Sequence, residues 1–567
     1  MDGSTGPILF VVDDDSESLE RIESELVRRY GADYRIVCER SASAALDRLK
    51  EMREAGEEVA VLLCDQWMPE MEGIRLLDEA DNFYPLAKRI LLIEWGGWGD
   101  PGTAEVIHSG MARDQMDYYA PKPVRTPDEG FNRLLAELLH EWSRVRDPSM
   151  SEITLVADQW SRRTNELLGL LVRSGIPHSF HPRTSTEGRR LLESVRQDET
   201  DCPVAILRGG EVLVDPSNAD LVTAIGIDTR VTGSRDFDLV VVGAGPAGLT
   251  AAVYASSEGL RTLVIERGTI GGQAGSSSLI RNYLGFARGV SGWELAQRAY
   301  IQAWVFGTQF MITREATGIS SEGERLSVQI SRKEDVSARA IVLATGVSYR
   351  RIGIPALEEL SGAGVFYGAS LSEARALRGE HVYVVGGGNS AGQAALHLSR
   401  YARRVTMLVR SPALDVNMSR YLCEGIEAVD NIEVRLETEV AGGGGDSRLR
   451  HLVLRDQGGG TEERVEAGGL FVMIGARADT DWLPPGIERD PRGYLLTDDD
   501  LVRDGRVVES WPLERAPLIM ETSMPRVFAV GDVRHTSTKR VASAVGEGSV
   551  VVEQLHQLLA QEHPARA

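Results

Sequence analysis

A chain of 567 residues is too long for one hydrophobic core and implies about three to five domains. Its formal net charge of −22 excludes a nucleic-acid or anionic-membrane partner, because either needs a positive stripe facing the phosphates. The four cysteines, Cys38, Cys64, Cys202 and Cys423, form no CxxC and no metal-ligand spacing, no apolar run reaches the length of a membrane span, and residues 1–7 carry no signal-peptide pattern, so disulfide scaffolding and structural zinc are excluded and the cytoplasm is the expected location.

The stretch ILFVVDDDSESLERIESELVRRY reads as a buried strand, an acidic loop and an amphipathic helix with Leu19, Ile22 and Leu26 on one face. A second apolar strand, in VAVLLCDQWMPEMEG, ends on Asp65, and a third ends DYYAPKPV, with Lys122 before a proline. Strands alternating with helices predict a parallel sheet whose functional groups gather at the strands' carboxyl ends, which brings Asp13, Asp14, Asp65 and Lys122 together. Clustered carboxylates bind Mg²⁺, one of them can accept a phosphoryl group, and a lysine can pair with its charge. Through DDD, DxxMPxMxG at Asp65–Gly73 and the KP pair, residues 1–147 resemble the receiver domain of two-component response regulators, a flavodoxin-like fold. The resemblance implies Asp65 as phospho-acceptor with Lys122, Asp13, Asp14 and Asp65 as Mg²⁺ ligands, Tyr119 as the switch aromatic, and a sensor histidine kinase as partner. Receivers carry Ser or Thr at the end of the fourth strand, whereas RILLIEWGGWGD offers Ile93 and Glu94, and a carboxylate there repels phosphate. The segment reads either as phosphorylatable or as a degenerate docking domain.

After the polar linker RDPSMSE comes ITLVADQW, a helix, the short strand PHSFHP, another helix, and then CPVAILRGGEVLVDPSNADLVTAIGI with a Gly-Gly hairpin. By order and spacing, residues 150–232 resemble the thioredoxin and glutaredoxin fold, which implies a cis peptide before Pro203. The position of the redox loop, ADQWSRRTNE, holds no thiol. Cys202 stands beside it. It is expected to be a small, partly buried core residue, with a mixed disulfide as the alternative.

DFDLVVVGAGPAGLTAAVYASSEGLRTLVIERG is a strand, a glycine loop, a helix and a second strand ending in an acid. Gly243, Gly245 and Gly248 follow buried apolar residues and open a small-residue helix, and Glu266 arrives at the distance that suits ribose hydroxyls, so this is a dinucleotide site. The device recurs in HVYVVGGGNSAGQAALHLSRYARRVTMLVRS, with Gly386, Gly388 and Ala391 in the three positions around Asn389 and Ser390. Here the second strand ends on Arg410 with no acid, which suits a ribose 2′-phosphate and favours NADPH over NADH. AGGGGDSR and DQGGGTEE read as hairpin loops.

With these two loops, IVLATGVSYRR, GGQAG from Gly271, NYLGF from Asn282 and MPRVFAVGDVRHTSTKRVASAVGEGS resemble the thioredoxin reductase-like branch of the pyridine nucleotide-disulfide oxidoreductases. The resemblance implies FAD held by Gly243, Gly245, Gly248, Glu266, Gly271, Gly272, Gln273, Asn282, Gly346, Asp532, Arg540, Val541 and Ala542, with Lys539 near the flavin ring, and NADPH held by Gly386, Gly388, Asn389, Ser390, Ala391 and Arg410. The implied architecture is α/β, with two Rossmann-like domains: an FAD domain at 235–354 and 479–562, split by an NADPH domain at 355–478. In that branch a CxxC before the NADPH loop takes electrons from the flavin, but YGASLSEA has Gly368 and Leu371 at the equivalent positions, so no catalytic residue is assigned. Cys423 reads as helix packing.

Over its whole length the chain resembles the fused response regulator/thioredoxin-disulfide reductases. The expected function is an NADPH-dependent FAD oxidoreductase, homodimeric as that family usually is, passing electrons to an external quinone, oxygen, redox protein or small disulfide. The alternatives are a thioredoxin-disulfide reductase using unpaired cysteines and a flavin-based redox-sensing signalling protein in a two-component system.

Overall fold

The computed structural model describes residues 6–562 except 113–114, 147–151, 175, 199, 225–230, 232, 278–279, 281, 287–288, 324, 332–333, 369–373, 375, 417, 459 and 504–505. Leu371 and most of the linker RDPSMSE lie outside the described residues. Two compact units divide the chain, Met1–Ser151 and Glu152–Ala567. No described helix is long and apolar enough to cross a membrane.

In the first unit, strands β1 (Ile8–Val12), β2 (Arg35–Glu39), β3 (Val59–Asp65), β4 (Lys88–Ile93) and β5 (Tyr118–Pro121) form a parallel sheet in the order β2-β1-β3-β4-β5. Both central strands are buried at every residue, because successive side chains point to opposite faces and each face has its own core. Ile8, Phe10 and Val12 join one core; Leu9 and Val11 join the other with Leu19, Ile22 and Leu26 of the helix Ser16–Tyr30. Asp15 caps that helix by accepting the N–H groups of Glu17 and Ser18. The strand order reverses between β1 and β3, which opens a crevice at their carboxyl ends, where Asp13 and Asp65 lie.

The second unit begins with β6 (Ile153–Ala157), β7 (His178–Pro182), β8 (Val204–Leu207) and β9 (Val212–Val214), in the order β7-β6-β8-β9. β6 runs parallel to β7 and antiparallel to β8. Two expectations fail here. The cis peptide bond among the described residues is Thr126–Pro127, and Pro203 instead begins the antiparallel pairing, its carbonyl accepting the Asp215 N–H at 2.8 Å. Cys202 is exposed, because the small core beside it is filled by Val156, Leu192 and Val204. Trp160, before the helix Arg162–Arg173, packs against both apolar clusters of the inserted sheet described next, with the Arg448 guanidinium 5.0 Å over its ring.

The largest sheet runs β12 (Gln309–Ile312), β11 (Thr262–Glu266), β10 (Asp236–Val242), β15 (Val336–Leu343), β14 (Arg325–Ile330), β13 (Ala316–Glu322), and the strand Val527–Ala529 pairs parallel with β15. From β16 (Val347–Tyr349) the chain enters an inserted parallel sheet of β17 (Val365–Phe366), β24 (Gly469–Val472), β18 (His381–Val385), β19 (Arg404–Leu408) and β20 (Ile432–Arg435), in that spatial order. It returns through β25 (Ala476–Ala478), which pairs antiparallel with β16. An antiparallel sheet of β21 (Thr438–Gly444), β22 (His451–Asp456) and β23 (Glu462–Glu466) completes the insert. AGGGGDSR is therefore half strand and half hairpin turn: Gly442, Gly443 and Gly444 pair with Val453, Leu452 and His451, and residues 445–448 lie in the turn between β21 and β22. Packing explains the glycines, since a Cβ on Gly443 would lie 2.7 Å from the His451 carbonyl and 2.9 Å from the Leu357 side chain. DQGGGTEE does include the turn between β22 and β23.

Candidate functional site

β10 ends at Val242, and the chain turns through Gly243 (φ +109°) into the helix Pro246–Ser257. Two of the three glycines answer to the protein's own backbone: a Cβ on Gly243 would lie 2.3 Å from the Ala344 carbonyl oxygen, and one on Gly248 2.0 Å from the Gly243 carbonyl oxygen. Gly245 is different. It caps the helix without a side-chain bond, and a Cβ there would meet nothing within 4 Å, so open space faces the positive amino end of the helix. Gly271 and Gly272 fold back over this space: the Gly271 N–H donates to the Ala244 carbonyl at 2.8 Å, and a Cβ on Gly272 would lie 3.2 Å from the Gly245 Cα.

To one side Glu266 accepts the N–H groups of Ala244 at 2.8 Å and Gly268 at 2.7 Å. Burial pushes its carboxyl above the ordinary range against the pull of those two bonds. Gly531 and Asp532 stand at the same helix end, since a Cβ on Gly531 would lie 2.9 Å from the Ala247 Cβ. Burial raises the Asp532 carboxyl too, while Lys539 opposes the rise; the Lys539 ammonium donates to the Asp532 carbonyl at 2.5 Å and lies 4.5 Å over the Tyr494 ring. The Gln273 amide donates to the Val347 carbonyl at 3.4 Å, and Gly346 precedes that residue. Val541 and Ala542 open the helix Val541–Glu562, whereas Arg540 and Asn282 are exposed. Open space at a helix amino end, floored by glycine and flanked by a carboxylate, fits the pyrophosphate and ribose of a dinucleotide.

The second loop repeats the plan. A Cβ on Gly386 would lie 2.5 Å from the Met473 carbonyl oxygen and 3.1 Å from the Ala391 Cβ, and Gly388 caps the helix Asn389–Leu398 without a side-chain bond. The Asn389 side chain accepts the Ser419 N–H at 2.7 Å, and Ser390 is exposed in the first turn. Arg410 follows β19 beside this loop, exposed and with no hydrogen bond or ion pair among the described residues, so its guanidinium is available to an anion.

Gly368 has φ +121°, a conformation hostile to any L side chain, cysteine included. Nor do three of the remaining thiols form thiolates easily: burial pushes Cys38 up to about 12, Cys64 well above the ordinary thiol range, and Cys423 upward. Cys423 lies on the helix Arg420–Glu427, packed against the core of the inserted sheet. The sequence reading overlooked a cavity next to Gly368, lined by Ser348, Tyr349, Arg350, Arg351, Tyr367 and Arg477. Its one local signal was SYRR, the basic-aromatic run after the ATG turn.

In the first unit the Lys122 ammonium lies 2.8 Å from Asp65, 3.0 Å from Asp13 and 3.2 Å from Glu94. Asp13 also accepts the Ser18 hydroxyl at 2.7 Å and the Asp15 N–H at 3.0 Å. Burial pushes the Asp65 carboxyl up and Lys122 pulls it down; for Lys122, burial is outweighed by Asp65 and Asp13, which hold the ammonium above its ordinary range. Carboxylate oxygens of Asp13, Asp14 and Asp65 lie within 4.8 Å of one another, a donor set that suits a divalent cation. Tyr119 is partly buried and stacks on Tyr118 with centroids 4.9 Å apart.

The profile of the family described as pyridine nucleotide-disulphide oxidoreductase matches residues 237–548, more than half of the chain. The chain belongs to that family. A thioredoxin reductase of Treponema pallidum is 34% identical over 315 residues, covering 56% of this chain and 94% of that protein. One from Bacillus subtilis is 31% identical over 319 residues, 56% of this chain and 93% of that protein. The crystal structure of Lactococcus lactis thioredoxin reductase aligns with a TM-score of 0.51 at 27% identity, covering 57% of this chain and 99% of that one. Membership makes the chain an FAD-dependent NAD(P)H oxidoreductase, and thioredoxin reductases of this family use FAD and NADPH.

The glycines separate ligand from fold. Gly248→Ala is expected to lower stability by about 1–3 kcal/mol, because its methyl group strikes backbone. Gly245→Ala should fold with wild-type circular dichroism yet retain less flavin after gel filtration, as read from visible absorbance. Equal retention by Gly245→Ala and wild type would show that no ligand closes on that residue.

Lys122→Met should destabilise the first unit by about 3–5 kcal/mol at neutral pH, because it strands buried carboxylates. Lys122 pulls the buried Asp65 carboxyl down, so without it Asp65 titrates higher, and the deficit is present above its pKa and shrinks as pH falls and Asp65 protonates. Urea titrations at pH 7 and pH 4.5, with and without Mg²⁺, measure this. A deficit unaffected by pH and by Mg²⁺ would contradict the electrostatic account.

Proposed function

We propose that this oxidoreductase takes a hydride from NADPH and passes both electrons to an external acceptor without a thiol relay. The single observation carrying this is the backbone at Gly368, whose φ of +121° belongs to glycine at the position where a relay cysteine would stand. Overall, NADPH, one proton and the acceptor give NADP⁺ and the acceptor reduced by two electrons. When bound, FAD supplies the two-electron chemistry that links a hydride donor to such an acceptor. Gly243, Gly245, Gly248, Glu266, Gly271, Gly272, Gln273 and Asp532 hold it; the loop from Gly386 to Ala391 holds the NADPH pyrophosphate, and Arg410 pairs with the 2′-phosphate.

A thioredoxin-disulfide reductase remains the second reading, favoured by the names of the T. pallidum and B. subtilis relatives. It needs Cys202 or Cys423 to act singly, and the chain has no CxxC with which to resolve a mixed disulfide. For the first unit we propose a receiver-like regulatory role, with Mg²⁺ on Asp13, Asp14 and Asp65 and a phosphoryl group on Asp65. Glu94, paired with Lys122, competes with that group for the same ammonium.

An acceptor screen on the holoprotein tests the relay-free reading. Quinone turnover should persist in the Cys202→Ser/Cys423→Ser variant, and thioredoxin should be a poor acceptor for both. Robust thioredoxin reduction that disappears in the variant would falsify the proposal. For the nicotinamide nucleotide, Arg410→Ala should weaken NADPH by about 1.5–3 kcal/mol and leave NADH nearly unchanged in stopped-flow reduction of the flavin. An equal loss for both nucleotides would remove Arg410 from the 2′-phosphate.

A further inference from the structure

β16 and β25 carry the chain into and out of the inserted sheet, with Ser348 opposite Arg477 in their ladder. Beside them lies a cavity of about 660 Å³, lined by Ser348, Tyr349, Arg350, Arg351, Tyr367 and Arg477. That volume is in the range of small-molecule sites, about 300–1,000 Å³. Three guanidinium groups and two phenol rings converge here in a chain whose net charge is −22.

Neighbouring acids account for two of the arginines. Glu358 pairs with Arg351 at 3.2 Å and also accepts the Tyr367 hydroxyl at 2.7 Å and the Gly353 N–H at 3.1 Å. Asp481 pairs with Arg477 at 3.2 Å. Arg350 is anchored by its backbone N–H on the Gly475 carbonyl at 2.9 Å, while its guanidinium makes no hydrogen bond or ion pair among the described residues. Among the described residues, the cavity thus holds one positive charge, that of Arg350, without a paired acid. Arg351 lies 4.6 Å over the Tyr367 ring and the Tyr367 hydroxyl is tied to Glu358, so this aromatic wall is fixed in orientation. Burial and Glu358 push the Tyr367 phenol up to about 12, which keeps the ring neutral at physiological pH. Tyr367 precedes Gly368, and Ser348 follows Val347, whose carbonyl accepts the Gln273 amide from the loop folded over Gly245. The cavity therefore adjoins both the position without a relay thiol and the loop assigned to the flavin.

We propose that this cavity docks a small anionic aromatic electron acceptor of the sulfonated or carboxylated quinone class, its ring against Tyr349 and Tyr367 and its anion on Arg350. The assignment rests on the relay-free reading above. A planar ring matches the aromatic walls, and a planar guanidinium matches a sulfonate or carboxylate edge. The reaction balances as NADPH, one proton and the quinone giving NADP⁺ and the hydroquinone: the hydride brings two electrons and one proton, and solvent supplies the other proton.

The test is calorimetric titration of oxidised holoprotein with anthraquinone-2-sulfonate, without NADPH, with uncharged duroquinone as comparator. Binding at one site per chain is expected, weakened about tenfold or more by Arg350→Ala, partly restored in Arg350→Lys, and weakened by salt. Duroquinone should bind wild type and Arg350→Ala alike. With NADPH present, Arg350→Ala should raise KM for the sulfonate more than it lowers kcat. Absent binding, equal affinity in wild type and Arg350→Ala, or displacement of the probe by NADP⁺ would each overturn the proposal, the last by making the cavity part of the nucleotide's own site. Failure of the relay-free reading has a separate signature: quinone turnover lost in Cys202→Ser/Cys423→Ser with the calorimetry unchanged.

Discussion

The close approach of backbone to backbone at a strand's carboxyl end is the constraint on which the second unit depends. At Gly248 the helix Pro246–Ser257 comes so near the preceding turn that a Cβ would stand 2.0 Å from the Gly243 carbonyl oxygen, and at Gly386 a Cβ would stand 2.5 Å from the Met473 carbonyl oxygen. Both contacts set a helix amino end directly beyond a parallel strand, where first-turn N–H groups lack the usual intrahelical acceptor and face any phosphate bound there. The small residues along the first helix extend the same logic, because a Cβ on Gly548 of the helix Val541–Glu562 would lie 2.3 Å from the Ala247 carbonyl. Binding capacity here is a by-product of dense packing.

Charge organises the first unit in a comparable way. One buried ammonium, Lys122, satisfies Asp13, Asp65 and Glu94 together, and the cluster is stable only while the lysine or a cation balances the acids. Glu94 is the exposed member of the set, so its carboxylate can leave at little cost while Asp13 cannot. Exposure thus separates one solvated partner of Lys122 from two buried ones.

Much of this was legible in the sequence because it rests on local pattern. Apolar runs followed by glycine turns located β10 and β18, and an acid at the end of β1 and β3 located the cluster around Lys122. What escaped reading depends on contacts distant along the chain. Nothing near Gly443 announces that Leu357 will crowd it, so a glycine run that forms a strand resembles a loop. Cys202 was misplaced because burial depends on which side chains fill the neighbouring core, and Val156, Leu192 and Val204 fill it with Leu191, Val195, Ile206 and Val212 packed around them. The cavity was invisible for the same reason, since Arg477 reaches Ser348 only through pairing across more than a hundred residues of inserted chain.

The position of Trp160 bears on how separable the parts of this chain are. An accessory module joined by a linker can be lost without consequence for its neighbour, but the indole of Trp160 packs against both apolar clusters of the inserted sheet and carries Arg448 on its face. Without residues 152–224, the inserted sheet would present that greasy socket to water and leave Arg448 with no ring to cover. The four-stranded sheet, although it bears no redox thiol in its loop, is thus retained as a structural wall of the flavoprotein, and a reductase of this lineage that lacked it would need a differently composed surface at that spot.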